Sequence, residues 1–433
     1  MKKIFNLKFL IFNFIQHPLF TGSFIMIFGS NAISVFNYLY HLVMGRMLGP
    51  SFYGELASLI SLMSLLGIIP LSLNLVVTKY VSAVKTVDEE SLLVNWLKSK
   101  LLLISVFFFF ITVITSPLTA AFLHIEKLIY LILIASILFF SFQSNFNRSI
   151  LQGFLKFKEM ILSVLAENFI KLILSVLLII IGFRVGGAMV AFVVASFLGW
   201  YVTGFFLKNY ISKDSAYSPN VKSMMLFTIP VVVQSFAITS IYSSDVLLVK
   251  HFFSSHEAGI YASLSTLAKI IFFGASPIGS VMFPLVSQRK ARGQGYRKIF
   301  ILSFLGTGLL SAGILLVYLL FPEYAIKLLY GSAYLEASNL LIWFGIFIAF
   351  FTLSSLLVSF GLSSGKTSVV IFPTLAAIIQ IILIWFFHQS LHTVILISIL
   401  VNALLLISLL IYLNFIKGLF EDNEADISHS PGI

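Results

Sequence analysis

Apolar runs of about twenty residues recur from one end of this 433-residue chain to the other. A helical run of that length rises 1.5 Å per residue and so matches the ~30 Å hydrocarbon core of a bilayer. Lipid offers no hydrogen-bond partners to the backbone, so a lipid-exposed run must satisfy its own N–H and C=O groups as a helix. A large soluble protein with buried helices is excluded by charge. Only 10% of residues are Asp, Glu, Lys or Arg, against roughly 25% in soluble domains, too few to cover a water-facing surface. Runs bounded by charge or by Gly/Pro clusters predict twelve spans: 21–45, 54–78, 100–123, 127–148, 161–182, 187–207, 223–249, 258–286, 299–321, 337–360, 367–387 and 392–413. The expected fold is an all-α integral membrane protein.

The positions of Lys and Arg orient these spans. With the N-terminus cytoplasmic, twenty of the 27 basic residues fall on inside segments, five fall outside, and Lys171 and Lys269 lie within spans. This bias is the positive-inside pattern, and it fits an even number of spans with both termini cytoplasmic. It also accounts for the net charge of +11 without a nucleic-acid partner, because no long soluble segment exists to carry a basic face. Met1-Lys2-Lys3 starts like a signal peptide, but no small-residue cleavage site follows. Residues 1–20 are read as an amphipathic lead-in, 21–215 as a first lobe of six spans, 216–413 as a second lobe, and 414–433 as an acidic cytoplasmic tail. With no cysteine in the chain, disulfides, thiolate metal sites and cysteine nucleophiles are excluded.

Two short stretches repeat. Gly54-Glu55-Leu56-Ala57-Ser58-Leu59 resembles Gly259-Ile260-Tyr261-Ala262-Ser263-Leu264, and each is followed by a mid-span proline, Pro70 and Pro277. Gly153 and Lys158 correspond to Gly361 and Lys366. The separations, 205 and 208, agree and point to a duplication. Six spans per half is an even number, so the halves are parallel repeats. They are expected to rock about a central cavity in alternating access.

Charged side chains inside spans are costly and tend to face a cavity or a partner. Glu167 and Lys171, four apart, share a helix face and can pair. Lys269 has no acid within one turn, so it finds an acid on another helix or awaits an anionic ligand. Asp245 either pairs with Lys250 or serves as a cation or proton site. Pro70, Pro230, Pro277 and Pro284 interrupt spans, and the first three are candidate hinges. Gly361-Leu362-Ser363-Ser364-Gly365-Lys366-Thr367 is one residue short of a phosphate loop and follows a lipid helix, so it reads as a tight turn. His251 and His256 are too few for a metal site. No metal and no cofactor are expected.

The stretch Gly45-Arg46-Met47-Leu48-Gly49-Pro50-Ser51-Phe52-Tyr53-Gly54 resembles the R-x-L-G-x-x-x-Y-G signature of polysaccharide flippases of the O-antigen and capsule type. Those proteins are a branch of the multidrug/oligosaccharidyl-lipid/polysaccharide exporter superfamily. Leu151-Gln152-Gly153-Phe154-Leu155-Lys156-Phe157 resembles that branch's L-Q-G-x-x-[KR]-F loop. Asp245, followed by Ala258-Gly259-Ile260-Tyr261, resembles its junction between spans seven and eight. The resemblance implies two six-helix lobes and a substrate that is a polyprenyl-pyrophosphate-linked oligosaccharide. That substrate would move from the cytoplasmic to the periplasmic leaflet of a bacterial inner membrane. Two further helices usual in the flippase of the peptidoglycan precursor are missing, which argues against that substrate. Arg46, Lys171, Lys269, Glu167 and Asp245 are the cavity candidates. Membrane lipid and polysaccharide polymerase machinery are the expected partners, with a proton or sodium ion as coupling ion. The chemistry is consistent, because lysines in a wet cavity would offset part of the cost of desolvating a pyrophosphate.

A cation-coupled multidrug antiporter of the same superfamily is the competing reading. It needs deep acids, and Glu167 and Asp245 are the only candidates for that role. A membrane-bound polymerase or ligase is a third, disfavoured by short outer loops. The chain is not expected to be an enzyme.

Overall fold

The computed structural model describes residues 18–83, 87–208 and 221–413. Most of the lead-in and the whole tail therefore lie outside the described residues, as does the first lobe boundary at 215/216. Among the described residues there is no strand. Thirteen α-helices are described: α1 Pro18–Leu66, α2 Ile68–Ala83, α3 Val87–Leu123, α4 Ile129–Gly153, α5 Phe157–Ile180, α6 Arg184–Leu207, α7 Val221–Phe252, α8 Ser255–Ala291, α9 Arg297–Leu320, α10 Pro322–Leu329, α11 Ser338–Ser363, α12 Ile371–Phe386 and α13 Leu391–Tyr412.

Eleven stretches of the described chain are long and apolar enough to cross a membrane, and the first of them is Phe28–Ser82. It holds two spans, because α1 breaks at Gly49, whose φ of 70° and ψ of 173° are not helical. Positive φ suits glycine, and Pro50 then starts the next helical segment. The twelve expected spans are thus all present as helices. Two features were not anticipated. The short amphipathic α10 and a 3₁₀ turn over Ser332–Ala337 fill the connection before α11. Helix α3 also starts at Val87, well before its apolar run.

The side chains are arranged as lipid demands. On α3, Leu103, Phe107, Phe110, Ile114 and Leu118 are exposed while Ser105, Thr112 and Ser116 are buried. The buried hydroxyls donate back to the helix, Ser105 to the Leu101 carbonyl at 2.6 Å and Thr112 to Phe108 at 2.7 Å. Apolar groups on the outside and self-satisfied polar groups on the inside mark a helix whose solvent is hydrocarbon.

The chain forms two compact units, residues 1–235 with 253–259, and residues 236–252 with 260–433. The division runs through α7 and α8 rather than between spans six and seven. In the first unit, α4 packs on α2, α3 and α6, α5 packs on α6, and α1 packs on α5. Val76, Val81, Leu93, Leu97, Phe146, Ile150 and Leu207 form its core. In the second unit, α11 packs on α9 and α13, and α12 packs on α13.

The repeat has a structural counterpart. Within the first unit, a Cβ added to Gly54 would strike the backbone of Ser255 and Gly259, and one added to Gly259 would strike the Pro50 carbonyl. Positions 50 and 255, and 54 and 259, are each 205 apart, so equivalent segments cross backbone to backbone. The second correspondence needs a shift of two residues. Helix α4 ends with Phe154 N–H donating to Ile150 and Lys156 N–H to Leu151, around Leu155 at φ 58°. Helix α11 ends with Ser364 N–H donating to Phe360 and Lys366 N–H to Gly361, around Gly365 at φ 78°. These are the same left-handed C-terminal turn. Lys366 therefore matches Lys156 at a separation of 210, and aligning by glycine had paired it with Lys158. The phosphate-loop lookalike is this turn: its carbonyls point out of a helix C-terminus, and Lys290 donates to that of Ser364.

Candidate functional site

Each unit holds its own buried polar cluster. In the first, Arg148 near the end of α4 pairs with Glu167 on α5. Arg148 also donates to Ser163, through Nε to the hydroxyl at 3.0 Å and through the guanidinium to the carbonyl at 3.4 Å. Gly199 on α6 makes room for the pair, since a Cβ there would lie 2.5 Å from Glu167 Oε2 and 3.2 Å from the guanidinium. Glu167 therefore pairs with Arg148, not with Lys171 one turn along as the spacing suggested. From the sequence, Arg148 counts only as one of the twenty basic residues on the inside, because it sits where the apolar run 127–148 ends.

Lys171, 8% exposed, is held by neutral groups. Its ammonium donates to Asn168 Oδ1 at 2.7 Å and to Asn37 Oδ1 at 2.9 Å. It also lies over the rings of Tyr40 and Phe192 at 5.0 and 5.1 Å. Two amide oxygens and two aromatic faces replace water around the cation. Arg46 lies exposed beside the turn at Gly49, outside this cluster.

In the second unit, Asp245 is fully buried. Its Oδ2 accepts from the Tyr261 hydroxyl at 2.8 Å and its Oδ1 from the Val246 N–H at 2.8 Å. Lys269 is close enough to act on it electrostatically, but no direct ion pair joins the two. The ammonium of Lys269 stands 5.1 Å from the Tyr242 ring centre, with no hydrogen-bond acceptor among the described residues. Behind Tyr261 lies a set of buried neutral groups. Gln380 donates to the Ile241 carbonyl at 3.0 Å and to Ser398 at 3.3 Å. Asn402 donates to Gln380 at 3.4 Å and to the Ser398 carbonyl at 2.9 Å. Sequence reading passed over Asn37, Asn168, Gln380 and Asn402, since uncharged amides barely disturb a hydropathy window. A search for any amide in mid-span would have found them.

The hinge candidates are all helical. Pro70 opens α2, Pro230 falls within α7, and Pro277 lies inside α8. Proline 277 deprives the Phe273 carbonyl of its helical donor, and the Ser276 hydroxyl supplies one at 2.9 Å.

Residues 43–339 match the model of a family described as polysaccharide biosynthesis protein. The chain belongs to that family. No curated protein matches it. Its fold is that of the multidrug/oligosaccharidyl-lipid/polysaccharide exporter superfamily, as solved structures show. The lipid II flippase MurJ in an inward closed conformation superposes with a TM-score of 0.72 at 16% identity, over 90% of this chain and 87% of that one. An inward-facing multidrug resistance transporter of the MATE family gives 0.70 at 11% identity, over 89% and 96%. A superfamily transporter from Pyrococcus furiosus, whose description notes a reversed polarity of its binding pocket, gives 0.59 at 14% identity, over 91% and 95%. As a family member with eleven candidate membrane-crossing stretches among its described residues, this protein is a multi-pass membrane protein whose fold is that of transporters.

Proposed function

We propose that this polysaccharide biosynthesis protein flips polyprenyl-pyrophosphate-linked oligosaccharide units from the cytoplasmic to the periplasmic leaflet of a bacterial inner membrane. It would do so by alternating access, for assembly of a surface polysaccharide. The observation that carries the reading is positive charge kept inside the spans without a bonded acid. Lys171 is solvated by amides and rings, and Lys269, near Asp245, has no hydrogen-bond acceptor among the described residues. A lone cation in a membrane helix is costly, and a pyrophosphate is an anion that would compensate it. Membership of a polysaccharide biosynthesis family supports a glycan as the cargo. The Lys and Arg distribution supports cytoplasmic termini, and flipped units would pass to polymerase machinery outside.

Deletion of the gene, with surface glycan and lipid-linked units measured in one extract, tests this. Loss of glycan with short lipid-linked units trapped on the cytoplasmic leaflet is expected. Normal glycan together with greater sensitivity to cationic drugs would reject it in favour of the antiporter. In the complemented strain, Lys269→Ala at normal expression should lower glycan export at least about tenfold, as expected for losing a charge-assisted contact. Unchanged export would remove Lys269 from the mechanism.

A further inference from the structure

The second unit contains a cavity of about 460 Å³ between α8, α9 and α11. That volume is within the usual range of small-molecule sites, roughly 300–1,000 Å³. None of its lining residues is charged. Two rows of hydroxyls face it at helical spacing, Ser276 and Ser280 on α8, and Thr352, Ser355 and Ser359 on α11. Rows of small residues also serve helix packing, so the state of each hydroxyl decides. Ser276, Ser280 and Thr352 give their protons to Phe273, Pro277 and Ile348 carbonyls at 2.9, 2.8 and 2.6 Å, leaving oxygen lone pairs toward the space. Ser355 and Ser359 have no partner among the described residues. Thr307 on α9 lines the same cavity, but its Oγ1 is closed off from it. The oxygens of Ser276 and Ser280 can accept, and the unpaired Ser355 and Ser359 hydroxyls can both donate and accept, so this cavity suits a ligand that does the same. The Phe272 and Phe283 rings supply apolar faces. Without a cation it offers a pyrophosphate little, and a hydrocarbon tail would leave Ser355 and Ser359 unsatisfied.

We infer that this cavity is a subsite for neutral sugar, binding hydroxyl-rich rings of the glycan while the lysines take the pyrophosphate. The inference rests on the flippase reading and adds to it a second point of recognition. Its test is binding of purified full-length protein in nanodiscs to undecaprenyl pyrophosphate, bare or carrying glucose, galactose or N-acetylglucosamine. At least one sugar-bearing lipid should bind about tenfold or more tighter than the bare lipid. The combined Ser355→Ala and Ser359→Ala variant should lose that advantage and keep its affinity for the bare lipid. Ser355→Phe, which fills the space, should do the same. Equal wild-type binding of bare and sugar-bearing lipids overturns the subsite and leaves the flippase reading standing. Parallel loss of bare-lipid affinity in Ser355→Phe also overturns it and makes the cavity a groove for the lipid tail. If the wild type binds no pyrophosphate lipid, both readings fall.

Discussion

At the residue scale, Glu167 and Lys171, four residues apart on α5, have different fates. Glu167 meets a full charge, and the Arg148 it neutralises is buried. Removing one member of such a pair strands the other in a low-dielectric interior, at a cost of roughly 3–5 kcal/mol. Glu167→Gln should therefore lower the melting temperature of the detergent-solubilised protein by several degrees. Adding Arg148→Met should restore part of that loss, and an unchanged melting temperature for Glu167→Gln alone would show that the pair is not stabilising. Lys171 is different, because its partners are neutral. Lys171→Met keeps the aliphatic stem and removes only the ammonium. If the charge serves transport, glycan export drops while melting is little changed. If export is normal and melting falls, Lys171 is structural. Spacing alone paired Glu167 with Lys171 because one helix was all that could be compared. Apart from Asn168 on the same helix, the actual partners come from α1, α4 and α6.

Helix boundaries were legible because they follow from backbone chemistry. Apolar runs must be helical in lipid, and Gly49-Pro50 is a natural break. Close approach between helices was not legible, since it depends on which neighbours arrive. Gly259 begins the first turns of α8, and a methyl there would meet the backbone of Pro50, which cannot swing aside as a side chain can. Gly308 in α9 has nothing within 4 Å of its missing Cβ. The two are a matched pair of tests. Gly259→Ala should destabilise the protein in a detergent melting assay. Gly308→Ala should be neutral or stabilising by up to about 1 kcal/mol, because alanine is the better helix former. Equal effects would show that the 50–54 and 255–259 crossing is not tight. The misaligned lysine of the repeat belongs to the same scale. Glycine identity suggested 208, whereas the hydrogen-bonded turn sets 210, because Leu155 adopts the positive φ that Gly365 adopts in the other half.

For the whole molecule, orientation rests on charge and can be tested without background labelling, since the chain has no cysteine. Gln294→Cys, in the turn between α8 and α9, should react with a membrane-impermeant maleimide only after cells are permeabilised. Glu323→Cys, exposed on α10, should react in intact cells. The reverse result would invert the topology. Span number, helical class and family were all determined by the sequence itself. Hydrocarbon imposes one length and one backbone solution, so composition and run length are enough, and the signatures around Gly49 and Gly153 are local. Tertiary structure alone decided which charges are neutralised, that amides rather than acids hold Lys171, that Lys269 has no hydrogen-bond acceptor among the described residues, and that hydroxyls from α8 and α11 meet around one cavity. Those outcomes depend on distances between helices. A bilayer constrains how each helix crosses but not which neighbour it packs against, and packing is settled by side chains from distant parts of the chain.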